Sequence, residues 1–303
     1  MRTRKDIFLF NLLGKGRHKY RRYTGLPLRY AGGKSLGVGY IVEQIPSRIK
    51  KIVSPFFGGG SVEIACAKEL GLEVKGYDIF DILTNYWEQQ INNPVKLANK
   101  IMMLKPNKKI YEKVKAKLKA HWNKERAITN KLNLAAYYWF NHNLSYGPGF
   151  LGWMGKINSD EGRFTRLVGK VENFQCEKLT VACSSFDDTI PKHSGDFLYC
   201  DPPYYLGDDS KVFRGIYPQR NFPVHHNNFP HEKLRDLLCR HKGGFILSYN
   251  DCAMIRKWYS KFKIVGVAWQ YTLGQGERRI GKNRIDSETK SHLKNSCELL
   301  IVS

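Results

Sequence analysis

The chain has 303 residues, 42% hydrophobic and 25% charged, which is enough apolar material for one large domain or two ordinary ones and excludes a disordered chain. Its 50 Lys and Arg outnumber 27 Asp and Glu, giving a formal charge of +23 spread along the whole length. A field of that sign points to a polyanion held largely by counterion release, while no apolar run approaches the roughly 20 residues of a membrane-spanning helix.

Residues 1–26 are basic, with Lys15, Arg17, His18, Lys19, Arg21 and Arg22 around Gly14 and Gly16, and read as a flexible arm, either a solvated terminus or a phosphate-binding one. The first apolar run, Ile7 to Leu13, is broken by Asn11 and lacks a small-residue cleavage site, so no signal peptide is expected. A glycine turn at Ala31-Gly32-Gly33-Lys34 then feeds a helix predicted over 36–45. Lys51 to Pro55 reads as a short strand, broken by Phe56-Phe57-Gly58-Gly59-Gly60-Ser61 before a helix over 62–71. A second strand, Leu72 to Asp78, ends in an acid about 20 residues after the glycines, the spacing by which nucleotide-type folds grip a ribose.

From Tyr86 to Lys178 the rhythm changes to long basic amphipathic helices, predicted over 94–104 and 108–119, then an aromatic helix, Leu134 to Asn143. The segment after it mixes glycine, aromatic and amide residues with Lys156, Arg163 and Arg166. This pattern suits a base-contacting loop, and a purely structural hairpin fits it as well. Strands return at Leu179–Cys183 and Asp196–Cys200, and a polar insertion covers 207–230. A helix over 231–240, a strand over 244–250, a helix over 253–259 and a terminal hairpin of Lys263–Leu273 with Cys297–Val302 follow.

The strand Phe197-Leu198-Tyr199-Cys200 delivers Asp201-Pro202-Pro203-Tyr204 to the carboxyl edge of a sheet, where open α/β folds bind ligands. Two prolines hold the Asp201 carboxylate and the Pro202 carbonyl as stiff acceptors, a pair suited to an amine that must give up hydrogen bonds. Tyr204 offers a flat face to a heterocycle. Seven cysteines, an odd number without a Cys-x-x-Cys pair, read as core hydrophobes in a reducing compartment, cytoplasmic or nuclear. Nine histidines show no metal-ligand spacing, and no metal is expected.

Taken in order, PLRYAGGKS, SPFFGGGSVE, GYD, an inserted basic region, FLYCDPPYY and FILSYND make the chain resemble the Dam-type (class alpha) DNA adenine methyltransferases over most of residues 27–303. The resemblance implies an α/β fold: a Rossmann-like methyltransferase sheet with helices on both faces, interrupted by a mainly helical target-recognition domain. The catalytic domain would then be discontinuous, 27–85 and 179–303, with recognition over 86–178 and the basic arm over 1–26. It implies S-adenosyl-L-methionine as cofactor and S-adenosyl-L-homocysteine as product, and methyl transfer to the 6-amino group of adenine in double-stranded DNA by base flipping and direct displacement. Cytosine 4-amino methylation and an inactive DNA-binding protein on the same fold are the alternatives.

In this reading Asp201, Pro202, Pro203 and Tyr204 are catalytic. Tyr30, Gly32, Gly33, Lys34, Phe56, Gly58, Gly60, Ser61, Asp78, Ser185, Phe186, Asp187 and Asp201 meet the cofactor, and which of Ser185, Asp187 and Asp188 touches its adenine stays open. Asn141, Asn143, Ser145, Tyr146, Lys156, Arg163, Arg278 and Arg279 contact DNA. The expected setting is a cytoplasmic monomer or weak dimer in a bacterial or viral host cell, without membrane, beside a cognate restriction endonuclease.

Overall fold

Successive strand residues point to opposite faces of a sheet, and in this chain both faces are apolar. The computed structural model describes residues 2–15, 19–147, 149–205, 229–267 and 298–303. Strands β1 (Lys51–Ser54), β2 (Glu73–Asp78), β3 (Leu179–Cys183), β4 (Phe197–Cys200), β5 (Phe245–Asn250), β6 (Lys263–Val267) and β7 (Glu298–Val302) form one sheet in the order β3-β2-β1-β4-β5-β7-β6. Pairings from β3 across to β5 are parallel, and β7 runs antiparallel between β5 and β6. Ile52, Tyr199, Ile246 and Leu300 enter one core, while their neighbours Val53, Leu198, Leu247 and Ile301 enter the other. Strands buried on both faces read as unbroken apolar runs, which is why FLYC and FILSY stand out in the sequence.

The first face carries α1 (Arg4–Leu12), α2 (Val38–Gln44), α3 (Ser61–Lys68), α4 (Asp81–Asn92), α5 (Pro94–Met102), α6 (Lys108–Trp122), α7 (Lys131–Leu144) and α8 (Glu161–Glu172). The second carries α9 (Phe186–Lys192), α10 (His231–Arg240) and α11 (Ala253–Trp258). Helix starts follow from local chemistry: Asn107, Asn130, Asp160 and Ser185 each accept from a backbone N–H three residues on, and Pro94 opens α5. The fold is thus α/β with helices on both faces of a Rossmann-like sheet. Because the chain passes from β1 outward to β2 and β3 and then returns to β4, the strand order reverses between β1 and β4. That is the crevice where such sheets bind ligands.

Three expectations change. The basic start is not a loose arm: Thr3 and Asp6 form a capping box, Phe8 and Leu12 are buried one turn apart, and Lys5 Nζ donates to the Glu43 and Ile45 carbonyls at 2.8 and 2.6 Å. Surface charge on α1 hides that short apolar spacing. A boundary at 86 falls inside α4, whose Tyr86 and Trp87 share one core with Leu97, Tyr138 and Val171 of the helical insert. Cys183 and Cys239 are exposed, unlike the core cysteines Cys66, Cys176 and Cys200. The expected terminal hairpin is present as β6 paired antiparallel with β7, and residues 268–297 of it lie outside the described residues. No described helix is long and apolar enough to cross a membrane.

Candidate active site

The loop after β1 turns at left-handed Gly58 (φ 49°) and Gly60 (φ 64°), and a Cβ on Gly60 would come 2.6 Å from the Phe57 ring. Only glycine avoids both penalties there. Phe57 fills the space under the loop and meets Trp87 edge-on at 5.2 Å, while Trp87 Nε1 donates to the Gly58 carbonyl at 2.9 Å. The loop ends at Ser61, the first residue of α3 and nearly buried.

Asp78 closes the loop from the end of β2: its carboxylate accepts from Gly58 N at 2.9 Å and Phe80 N at 3.0 Å. Burial pushes its carboxyl above the usual range, and these N–H groups partly offset that rise. Each carboxylate oxygen keeps a second acceptor site, so two neighbouring hydroxyls fit Asp78 without disturbing the loop. The Tyr30–Lys34 turn lies on the same loop, since a Cβ on Gly59 would come 2.5 Å from Tyr30 Cβ and one on Gly33 3.4 Å from Ser61 Oγ. Gly32 takes the left-handed conformation that lets this turn close, at φ 76°.

Across the crevice, β4 places Asp201 against Lys34. Lys34 Nζ lies 2.7 Å from Oδ1 and 2.8 Å from Oδ2, with only 5% of the lysine side chain exposed. The same Nζ sits 4.8 Å from the Tyr204 ring centroid and donates to the Gly32 carbonyl at 3.2 Å. Burial raises the Asp201 pKa and Lys34 counters it, so the site holds a carboxylate poised to accept hydrogen. Pro202 is buried and Pro203 half-buried beside it. Tyr204 is buried, with its hydroxyl on Glu298 at the start of β7 and its ring 6.0 Å from Tyr249.

Phe56 and Phe186 stack at 5.5 Å with 29° between their planes, and Phe229 packs on both. Together these rings present one apolar wall to a planar group. Ser185 caps α9 and bonds Asp188, whereas Asp187 pairs with Lys233 of α10 and is held below the usual carboxylate range. Below the loop, Glu63 of α3 is 3% exposed and accepts from Ser54 Oγ at 2.6 Å, and burial pushes its carboxyl up to about 8.

The residues expected to contact DNA divide. Tyr146 and Trp153 stand exposed on a hairpin that pairs Ser145 with Met154, their rings stacked at 5.7 Å and 18°. Lys156 is exposed nearby, and Arg163 lies close enough to Arg29 for their charges to repel. Asn141, Asn143 and Ser145 are instead fully buried. Asn141 Oδ1 accepts from Leu151 N at 2.7 Å, Asn143 Oδ1 from Arg29 N at 3.0 Å, and Ser145 Oγ from Gly149 N at 2.9 Å. They brace the hairpin instead of presenting it, because a polar residue on an aromatic helix can satisfy backbone groups inside the fold. Arg278 and Arg279 lie outside the described residues. Sequence reasoning missed Glu63 and the Lys34–Asp201 pair, and nothing local signals either.

Residues 30–273 match the family described as D12 class N6 adenine-specific DNA methyltransferase. The Type II methyltransferase M.FokI of Planomicrobium okeanokoites is 25% identical over 223 residues, which are 67% of this chain, and the match covers 33% of that protein's length. A SAM-dependent methyltransferase from Agrobacterium tumefaciens superposes with a TM-score of 0.34 at 10% identity, covering 89% of this chain and 61% of that one. A likeness at that level carries no argument, and the fold is read from the sheet order.

Proposed function

The chain belongs to the D12 class N6 adenine-specific DNA methyltransferase family, and from that premise we propose that it transfers a methyl group from S-adenosylmethionine to the exocyclic 6-amino group of adenine in a short duplex sequence. The observation that carries this reading is the juxtaposition, across the β1/β4 crevice, of the Gly58–Gly60 loop and Asp78 with a half-buried Asp201 paired to a buried Lys34. When bound, the cofactor supplies an electrophilic methyl group on a sulfonium. Gly58, Gly60 and Ser61 would give it a loop approachable by backbone, Asp78 would accept its ribose hydroxyls, and the stacked Phe56–Phe186 pair would offer its adenine an apolar wall.

An amine conjugated into a purine is a poor nucleophile. Asp201 and the Pro202 carbonyl accept its two hydrogens, drawing the nitrogen lone pair out of the ring plane toward the methyl carbon. The proton shed by the methylated nitrogen would pass to the Asp201 carboxylate, whose basicity desolvation raises. Pro203 stiffens the turn, and Tyr204, anchored by Glu298, is the platform for a base flipped from the duplex. Tyr146, Trp153 and Lys156 face the duplex, with Arg29 and Arg163 on its phosphates. The Type II methyltransferase among its relatives makes restriction–modification the setting to examine.

Incubation with tritiated S-adenosylmethionine and unmethylated genomic DNA, followed by modification-sensitive sequencing, tests the reading. Label in N6-methyladenine within one short sequence is the expected result. Label at cytosine, or DNA binding without transfer by folded protein, would overturn it.

A further inference from the structure

Helix α7 ends where two parts of the site meet. On one side it holds the hairpin: Asn141 Oδ1 accepts from Leu151 N at 2.7 Å, and Asn158 Nδ2 donates to the Leu144 and Ser145 carbonyls at 2.7 and 3.1 Å. It also holds the segment 27–30. Trp139 Nε1 donates to the Pro27 carbonyl at 3.0 Å, Arg29 N donates to Asn143 Oδ1 at 3.0 Å, and Arg29 Nη1 donates to the Asn143 carbonyl at 2.9 Å. Between these contacts the His142 ring lies flat on Tyr30, centroids 5.4 Å apart and planes 14° apart. Tyr30 in turn packs on the cofactor loop, its side chain so close that a Cβ on Gly59 or Gly58 would come within 2.5 or 3.2 Å of it.

His142 is 4% exposed; the Arg29 backbone offers its ring a hydrogen bond, while its Nδ1 has no hydrogen-bond partner among the described residues. Burial, and Arg29 beside it, push its pKa down to about 3, so the ring stacks as a neutral plate.

We propose that His142 is a positioning residue of the cofactor site: through its stack on Tyr30 it holds the glycine loop in register with the hairpin, so that DNA on the hairpin and cofactor on the loop strengthen each other's binding. The proposal rests on the DNA methyltransferase reading above. Coupling of this kind is reciprocal, because each ligand favours the same arrangement of the shared element. A rigid helical turn bonded at both ends transmits a displacement that a solvated loop would absorb.

S-adenosylhomocysteine, which cannot react, is the probe. Its affinity is measured by calorimetry with and without sheared unmethylated genomic DNA, for the full chain and for His142→Phe, His142→Leu and His142→Ala. In the parent protein DNA is expected to tighten the product's binding on the order of 10-fold. His142→Phe keeps a flat ring and is expected to retain that factor, while His142→Leu and His142→Ala reduce it to near one with DNA affinity in the absence of cofactor unchanged. Equal factors in all folded variants overturn the proposal, as does a parent protein whose product affinity ignores DNA. Failure of the parent protein to bind S-adenosylhomocysteine at all would sink the methyltransferase reading itself. If His142→Ala does not fold, the phenylalanine and leucine variants, nearer in volume, decide the matter.

Discussion

Strand β4 carries an aspartate beyond each end, and each is paired to a lysine. Asp201 meets Lys34 at 2.7 Å with side-chain exposures of 20% and 5%, whereas Asp196 meets Lys51 at 2.8 Å with 28% for both partners. The pairs share chemistry and distance but differ in their dielectric surroundings. Burial of Asp201 outweighs Lys34 and leaves its pKa raised. Partial burial also pushes Asp196 upward, but hydrogen bonds from Lys51 and His193 prevail and leave its pKa lowered. His193 bridges onward to Tyr77 at 3.0 Å, so the amino-edge cluster ties β1, β2 and β4 together near water. An ion pair alone therefore says little about function. Beside the glycine loop, the more enclosed pair keeps its carboxyl above the usual range, because the desolvation of Asp201 outweighs its lysine.

The sharpest break of this comparison is Asp201→Ala. Methyl transfer is expected to fall roughly 10²–10⁴-fold in protein that still folds, beside a loss of stability from the Lys34 ammonium left without its carboxylate, and normal turnover by folded variant would end the argument. Next comes Lys34→Met, which strands a buried carboxylate at a cost of about 3–5 kcal/mol unless Asp201 takes up a proton. Because loss of Lys34 raises the Asp201 pKa further, the acid limb of the pH–rate profile should move to higher pH. An unmoved limb would show that Lys34 does not set the charge of Asp201.

Glu63 tests burial without a lysine. Its folded pKa of about 8 exceeds its ordinary value of 4.5, so the folded protein holds a proton that the unfolded chain has lost across that window. The stability contributed by that proton is full below pH 4.5 and disappears as pH rises through 8. Glu63→Gln should therefore match the parent in acid and exceed it by a few kcal/mol above pH 8, read by calorimetric melting in a pH series. A difference independent of pH would mean that Glu63 does not carry that proton.

The smallest effect belongs to Lys51→Met, expected to change stability by about 1 kcal/mol or less and to leave methyl transfer intact. Since Asp196 has a lowered pKa, the lost contribution is present above its ordinary 3.8 and vanishes as pH falls through the folded value. Added salt should shrink it further, and a large activity loss here would erase the distinction between the two ends of β4.

Much of the crevice was legible residue by residue. The turn at Gly58–Gly60 needs glycine wherever it is placed, a strand ending in Asp78 follows at the spacing of a ribose-binding acid, and FLYC has the length and apolar character of a buried strand delivering Asp201. These features depend on backbone sterics and side-chain period, which act over a few residues. The helical insert was legible as helices but not as surfaces: Asn141, Asn143 and Ser145 were read as DNA contacts because amides and hydroxyls usually face water. Here they satisfy backbone groups of a hairpin and of residue 29. Helix α1 was read as loose because its charge was more visible than the two-residue stripe that buries it.

Local chemistry in the chain was enough to order the strands and helices, the glycine loop, Asp78 and the Asp-Pro-Pro-Tyr turn. Long-range folding alone could bring Lys34 to Asp201 across 167 residues, lay His142 on Tyr30, and dry the surroundings of Glu63. The reason is physical: a turn is set by contacts between neighbours, whereas the charge and partner of a carboxyl group are set by which distant segments exclude water from it.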